Sequence, residues 1–264
     1  MTDYTDKVNS SATVDLTTTR TMSGITYKAS GFMNGYTDTT KEASIKIDGT
    51  RIESAGVLAL DVTTTTARAI QSYNLLGQMT GYTDTINSSA STGLTTTRTM
   101  SAVTYYASGL MKGYTDSTRE QNKTGYDPLD VTTTTVRSAI AYENNLGQMT
   151  GYTDTINSSA STGLTTTRTM SAVTYSDKAF MTSYTDFTNE INNASTTLAL
   201  NVTTTTNRAI SGYNPLGQMT GYTDTVNSSA TQNLETIRNM SIGQYNTLGQ
   251  MDEYTEGTRE YKKA

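Results

Sequence analysis

The sequence predicts an all-β fold, a tandem-repeat array of antiparallel β-hairpins forming an elongated, spiral or solenoid-like sheet. Three observations predict it. The tripeptide Tyr-Thr-Asp returns along the whole chain, runs of β-branched threonine return between its copies, and a glycine-bearing turn separates the two. Long helices are disfavoured because β-branched residues lose rotamer freedom in them.

The spacing fixes the repeat. Tyr-Thr-Asp begins at Tyr4, Tyr36, Tyr82, Tyr114, Tyr152, Tyr184 and Tyr222, with a Tyr-Thr-Glu variant at Tyr254. Successive steps are 32, 46, 32, 38, 32, 38 and 32 residues, so the long unit is 70 residues and the first is 78. Leu76 to Tyr105 is identical to Leu146 to Tyr175, again 70 residues apart. The units run over 4–81, 82–151, 152–221 and 222–264, as one continuous array. The eight additional residues of the first unit fall near 45–52, around Asp48-Gly49, which predicts a β-hairpin insertion.

Each half-unit has one grammar. A threonine run (Thr17–Thr19, Thr63–Thr66, Thr95–Thr97, Thr132–Thr135, Thr165–Thr167, Thr203–Thr206) leads to an arginine: Arg20, Arg68, Arg98, Arg137, Arg168, Arg208, and Arg238 in the last unit. Five or seven residues later comes a tyrosine, then a turn such as Tyr73-Asn74-Leu75-Leu76-Gly77, then Gln-Met-Thr-Gly-Tyr-Thr-Asp, then a polar loop such as Asn87-Ser88-Ser89-Ala90-Ser91. Read as strand, turn, strand, loop, this gives roughly fifteen strands. The last unit departs from the pattern, with Glu235-Thr236-Ile237 in place of the threonine run and a charged tail, Glu260-Tyr261-Lys262-Lys263; a terminal cap and simple drift both account for that.

Composition narrows the function. Only 34% of the 264 residues are hydrophobic, and tryptophan is absent, so a thick core is out of reach and each segment has to bury a thin layer against its neighbours. So polar a chain also fits disorder, but tyrosine, methionine and isoleucine at fixed positions argue for folding. With no histidine and no cysteine, Ser-His and Cys-His nucleophiles, disulfides and thiolate chemistry are excluded. A net charge of -5 with scattered Lys and Arg gives no nucleic-acid footprint. No apolar run reaches a membrane span and no signal peptide is read at the start; the chain opens inside a repeat, at Tyr4-Thr5-Asp6, as an excised piece of a longer array would.

The segment Tyr73-Asn74-Leu75-Leu76-Gly77-Gln78-Met79-Thr80-Gly81-Tyr82-Thr83-Asp84 resembles the Rhs/YD repeat. That signature is a Tyr-Asp pair, two residues, Gly, a basic or polar residue, then Leu and a Thr-rich strand. The match recurs at Tyr142, Tyr213 and Tyr245, and more loosely at Tyr27 and Tyr106. Here Asn replaces the Asp, Gln the usual Arg and Met the Leu, and the units are longer than the family's. The resemblance implies an antiparallel sheet that grows strand by strand and can curl into a spiral or shell. It also implies an extracellular or cell-surface setting in a bacterium, where such arrays occur in large secreted proteins, some of which encase toxins. No toxin domain or autoproteolytic segment is recognisable, so encapsulation is not carried over.

Chemistry divides between bland and sharp readings. Asp38, Asp84, Asp116, Asp154, Asp186 and Asp224 occupy one repeated position, whereas an active site is singular, so catalysis is not expected, and neither is a cofactor. The same aspartates read as a calcium ladder or, with more support, as strand-ending residues bonded to local backbone. Tyr36, Tyr82, Tyr114, Tyr152, Tyr184 and Tyr222 read as the repeat core, with a glycan-binding strip as the sharper alternative. The repeated arginine is expected opposite an acidic residue or stacked on a tyrosine. Thr64, Thr96, Thr133, Thr166 and Thr204, from the middle of the threonine runs, form a candidate flat grid resembling ice-binding surfaces. Asn-x-Ser/Thr sequons stand at Asn9, Asn87, Asn122, Asn157, Asn193, Asn201, Asn227 and Asn239. The Asn-Ser-Ser loops at Asn9, Asn87, Asn157 and Asn227 are the regular glycosylation candidates. The expectation is a non-enzymatic extracellular structural repeat protein — filament, stalk, adhesin or shell segment — that self-associates or meets neighbouring repeats through strand edges. A module for ice or carbohydrate is the rival.

Overall fold

The fold was analysed in a computed structural model. It describes residues 3–9, 16–44, 60–126, 128–143, 147–192, 199–246 and 249–263. The expected hairpin insertion at 45–52 lies outside the described residues, as does Asn193.

The chain is all-β. Its strands are β1 (Tyr4–Asn9), β2 (Leu16–Tyr27), β3 (Met33–Ser44), β4 (Asp61–Tyr73) and β5 (Met79–Ser88). Next come β6 (Leu94–Tyr105), β7 (Met111–Asn122), β8 (Asp130–Glu143), β9 (Gln148–Ser158) and β10 (Leu164–Tyr175). The series ends with β11 (Met181–Asn192), β12 (Asn201–Tyr213), β13 (Met219–Ser228), β14 (Leu234–Tyr245) and β15 (Met251–Lys262). All belong to one 15-stranded antiparallel sheet in chain order, which does not close into a barrel. Contacts group the chain into two compact units, Met1–Val103 with Thr115–Thr133, and Thr104–Tyr114 with Thr134–Ala264. Within each unit the strands touch their sheet neighbours, and no described element lies across either face of the sheet.

The turns explain the glycines. In the β4–β5 hairpin, Asn74 and Gln78 close a three-residue loop: the Asn74 N–H donates to the Gln78 carbonyl at 2.9 Å and the Gly77 N–H to the Asn74 carbonyl at 3.0 Å. The Asn74 side chain accepts from the Leu76 and Gln78 amides, both at 3.0 Å. Gly77 has φ 76°, the left-handed position that such a loop demands. In the β10–β11 hairpin that position is Ala179, at φ 65°, a strain of about 1–2 kcal/mol that the surrounding sheet holds in place. Phe32, Leu110 and Phe180, one turn earlier, lie over the next loop. Phe32 stacks on Tyr73 with ring centroids 4.9 Å apart, and Phe180 on Tyr213 at 4.8 Å.

The five- and seven-residue spacings from arginine to tyrosine are also structural. The register of β2 slips between Ser23 and Thr26, and that of β10 between Ser171 and Thr174. Gly24 and Ala172 take φ 62° and 50° there, and Ala102, at the equivalent place in β6, takes 51°. These are β-bulges, which re-aim the next side chain. Val103 and Val173, directly after the left-handed alanines, are each only 5% exposed, and Ile140, after Ala139 at φ 52°, is 3% exposed.

Alternation along the strands sorts the side chains onto two faces. Registers such as Arg68↔Asp84, Ile70↔Tyr82 and Thr66↔Ile86 put Tyr, Arg, Asp, Ile and Met on one, the tyrosine face. Registers such as Thr83↔Thr99, Thr85↔Thr97 and Asn87↔Thr95 fill the other with small polar residues. Deleting Tyr82 to Gly151 removes one 70-residue unit and joins Gly81 to Tyr152 in a strand of unchanged sequence. That variant is expected to keep β-type circular dichroism and a cooperative denaturant transition. Loss of both would show that the repeats do not fold as interchangeable modules.

Candidate functional site

The chemistry-bearing side chains converge on the tyrosine face, at the repeated arginine. Every one of these arginines meets the carboxylate of the following strand. Arg68 donates through Nε and Nη2 to the two oxygens of Asp84, both at 2.7 Å, and Arg137 to Asp154 at 2.7 and 2.6 Å; Arg208 does the same with Asp224, again at 2.7 and 2.6 Å. Arg20, Arg98 and Arg168 hold Asp38, Asp116 and Asp186 in the same side-on fashion. Arg238 pairs with Glu256. The expected aspartate hydrogen bond to local backbone is therefore corrected: the strand continues past Asp84 to Ser88, and the carboxylate is used across the sheet.

Two kinds of pair alternate. Arg68, Arg137 and Arg208 lie between two tyrosine rings. Arg68 Cζ is 4.1 Å from the centroid of Tyr82 and 5.7 Å from that of Tyr36. Arg137 lies 3.9 Å from Tyr152 and 5.7 Å from Tyr114, and Arg208 3.8 Å from Tyr222 and 5.6 Å from Tyr184. Their partners Asp84, Asp154 and Asp224 are only 4–5% exposed. The hydrogen-bonded aspartate holds the arginines' pKa above the ordinary value, against the opposing effect of burial. In the other kind, Arg20, Arg98 and Arg168 are paired in more open settings, with side chains 41–47% exposed. Asp84 also faces Arg98 in register, so it sits between two cations.

The tyrosines proposed as repeat core therefore divide. Tyr82, Tyr152 and Tyr222 are 6–7% exposed under the guanidinium groups, while Tyr36, Tyr114 and Tyr184 are half-buried on the outer side of the clamp. A second tyrosine series, noted in the sequence without a role, ties hairpin to hairpin. The hydroxyls of Tyr73, Tyr142, Tyr175, Tyr213 and Tyr245 donate to the carbonyls of Met33, Met111, Met149, Met181 and Met219, at 2.6–2.9 Å.

The threonine grid needs correction. Thr64, Thr96, Thr133, Thr166 and Thr204 share the parity of the arginine in their strand, and so lie on the tyrosine face. Their cross-strand neighbours are mixed: Thr40 and Ser88 for Thr64, Ile86 for Thr96, Ile156 and Glu190 for Thr166, Thr188 and Ser228 for Thr204. The threonine-rich surface is the opposite one, where hydroxyls pair across strands at 3.2 Å in Thr5–Thr21, Thr83–Thr99 and Thr153–Thr169. Of the glycosylation candidates, Asn87, Asn157 and Asn227 also sit on that face, inside strands and not in the loops expected for them. Asn87 and Asn157 accept hydrogen bonds from Thr95 and Thr165. Asn9 ends β1. The loop itself is a 3-10 turn over Ser89–Ser91, capped by the Ser88 hydroxyl.

Among the described residues no helix is long and apolar enough to cross a membrane. Comparison with family models, curated proteins and solved structures matches the chain to none of them.

Two predictions follow from this geometry. Asp84→Asn leaves a half-buried guanidinium without its counter-ion and is expected to cost about 2 kcal/mol in denaturant unfolding. The same change at the more exposed Asp116 is expected to cost below about 1 kcal/mol. Equal losses would count against burial as the difference between the two kinds of clamp. Burial raises the pKa of Tyr73, Tyr142, Tyr175 and Tyr213 above the ordinary 10.0. A phenol that holds its proton more tightly in the fold than in the unfolded chain leaves stability intact below pH 10 and withdraws it as pH rises further. The thermal midpoint is expected to fall above pH 10, and less steeply in Tyr73→Phe.

Proposed function

We propose that this is a non-enzymatic structural repeat protein, a segment of an extracellular filament, stalk, adhesin or shell that assembles through β-strand edges. The observation that carries this reading is the use of the repeated polar residues. The arginines and their carboxylate partners occupy each other along the sheet, six of the pairs bidentate and Arg238–Glu256 through a single contact, at positions repeated in every unit. Such side chains hold strand to strand, and their repetition fits extension better than recognition of one small ligand. The extracellular and bacterial setting is supported by the resemblance of the Tyr-Asn-x-x-Gly turns to the Rhs/YD repeat.

A binding reading gains one specific observation, the threonine-rich face opposite the clamps. Its paired hydroxyls are partly committed to each other, which favours a role in cross-strand cohesion. Electron microscopy of the purified chain tests the structural reading. Filaments or tubes with an axial repeat are the expected result. Dispersed monomers that produce thermal hysteresis would replace it with the ice-binding one.

A further inference from the structure

The strand β1 is a copy of β5, β9 and β13 that has a strand on only one of its edges among the described residues. Its register on β2 — Tyr4↔Met22, Thr5↔Thr21, Asp6↔Arg20, Lys7↔Thr19, Val8↔Thr18 — repeats that of β5 on β6, Tyr82↔Met100 through Ile86↔Thr96. The internal copies carry another strand on their second edge: β4, β8 or β12, each reading Val-Thr-Thr-Thr-Thr-x-Arg from Val62, Val131 or Val202. That strand sets arginine opposite the aspartate, isoleucine opposite the tyrosine and threonine opposite the apolar residue, as in Arg208↔Asp224, Ile210↔Tyr222 and Thr206↔Val226. The aspartates beneath it are 4–5% exposed. On β1 the corresponding Asp6 is exposed and Val8 is 58% exposed. Asp6 has no ion-pair partner among the described residues, because Arg20 directs its fork to Asp38.

The other edge of the sheet is built differently. In β15, Glu253 stands where β3 and β7 have Gly35 and Gly113. There a Cβ comes 2.6 Å from the carbonyl oxygen of Arg68, or 2.8 Å from that of Arg137, on the added strand. The largest residue an internal copy carries at this point is Ser183. The Glu253 side chain lies beside Gly243 of β14 and brings a carboxylate to this point. Asp252, Glu256, Arg259, Glu260 and Lys262 add charges along an edge that is exposed throughout.

We propose that the free edge of β1 is an acceptor for an extended segment of the type Val-Thr-Thr-Thr-Thr-x-Arg in a partner chain. The segment adds as an antiparallel strand and its arginine forks onto Asp6 beside the Tyr4 ring. The proposal rests on the structural reading above and names the partner of its strand edge. Two alternatives are opposed by the same geometry. A second β1 arriving antiparallel in full overlap with faces matched brings Asp6 opposite Asp6, a like-charge pair, and a register shifted by two residues leaves Asp6 without a cation opposite it. A second copy's β15 has the same sense as β1, so it would arrive parallel in a sheet whose recorded pairings are all antiparallel.

The test is binding of a fluorescently labelled peptide with the sequence of β8, Asp130–Glu143, to the intact folded chain. Saturable binding is expected, with increased hydrogen-exchange protection of the β1 amides. Asp6→Lys in the protein, or Arg137→Ala in the peptide, is expected to weaken it by about tenfold or more, the effect of losing a charge-assisted pair. Asp6 is exposed on an edge strand, so circular dichroism of Asp6→Lys should match the parent. No binding, or binding indifferent to both substitutions, overturns the proposal. Filaments from a chain that ignores the peptide would overturn the acceptor edge and leave the structural reading standing. Peptide binding by a chain that stays monomeric would do the reverse.

Discussion

Where no described element covers a face of the sheet, apolar atoms leave water mainly in one direction, sideways, under the side chains of the neighbouring strands. That constraint selects long side chains able to lie flat across a strand spacing of about 4.8 Å. Tyrosine and arginine do this well: a ring and a planar guanidinium stack, and each keeps a polar end that needs a partner. The sheet supplies the partners in place. Asp84, Asp154 and Asp224 take the guanidinium forks, and main-chain carbonyls at Met33 to Met219 take the hydroxyls of the second tyrosine series. Burial is shallow even so. No described side chain falls below 2% exposure.

Such a core is made of many weak, repeated increments. A part-buried, bidentate arginine–carboxylate pair contributes on the order of 1–3 kcal/mol, and a ring over a cation about 1 kcal/mol more. A single hairpin has one or two of these and would not hold itself together in water. Stacked in series, each clamp also positions the next: the tyrosine beneath one guanidinium belongs to the strand whose aspartate accepts that same arginine. The bulges at Gly24, Ala102 and Ala172 serve the same economy of space, turning Val103 and Val173 into the thin apolar layer at the cost of left-handed alanines.

Much of this was legible in the sequence because the signals are periodic. The Tyr-Thr-Asp steps gave the strand count, since every half-unit is one hairpin, and the Asn-x-x-Gly segments gave the turns through the left-handed position they require. What escaped were relations between strands. The arginine was expected opposite an acid or on a ring; every one meets an acid, and Arg68, Arg137 and Arg208 do both. The aspartate was assigned to its own loop, although a carboxylate stands sixteen to eighteen residues after each arginine, with glutamate at 256 answering Arg238. That narrow range of separations was the missed signal. The threonine grid failed on parity. A run of four threonines presents two to each face, and counting back from Arg68 puts Thr64 beside the arginines, not opposite them.

The two ends of the sheet show how small sequence changes alter an edge whose backbone is otherwise ready for pairing. Both outer strands keep the Tyr-Thr-acid motif, so the ladder alone would let either take another strand. The difference is steric and electrostatic. Gly35 and Gly113 let the next backbone approach closely, whereas β15 carries the charged Glu253 at the same point. On β1, the tyrosine, the apolar residue and the unpaired carboxylate keep the spacing that the internal strands use beneath an arginine-bearing partner. Backbone hydrogen bonding is common to every strand and so cannot by itself distinguish the two edges. The side chains at one or two registers can, and these are the positions at which the last unit departs from the others.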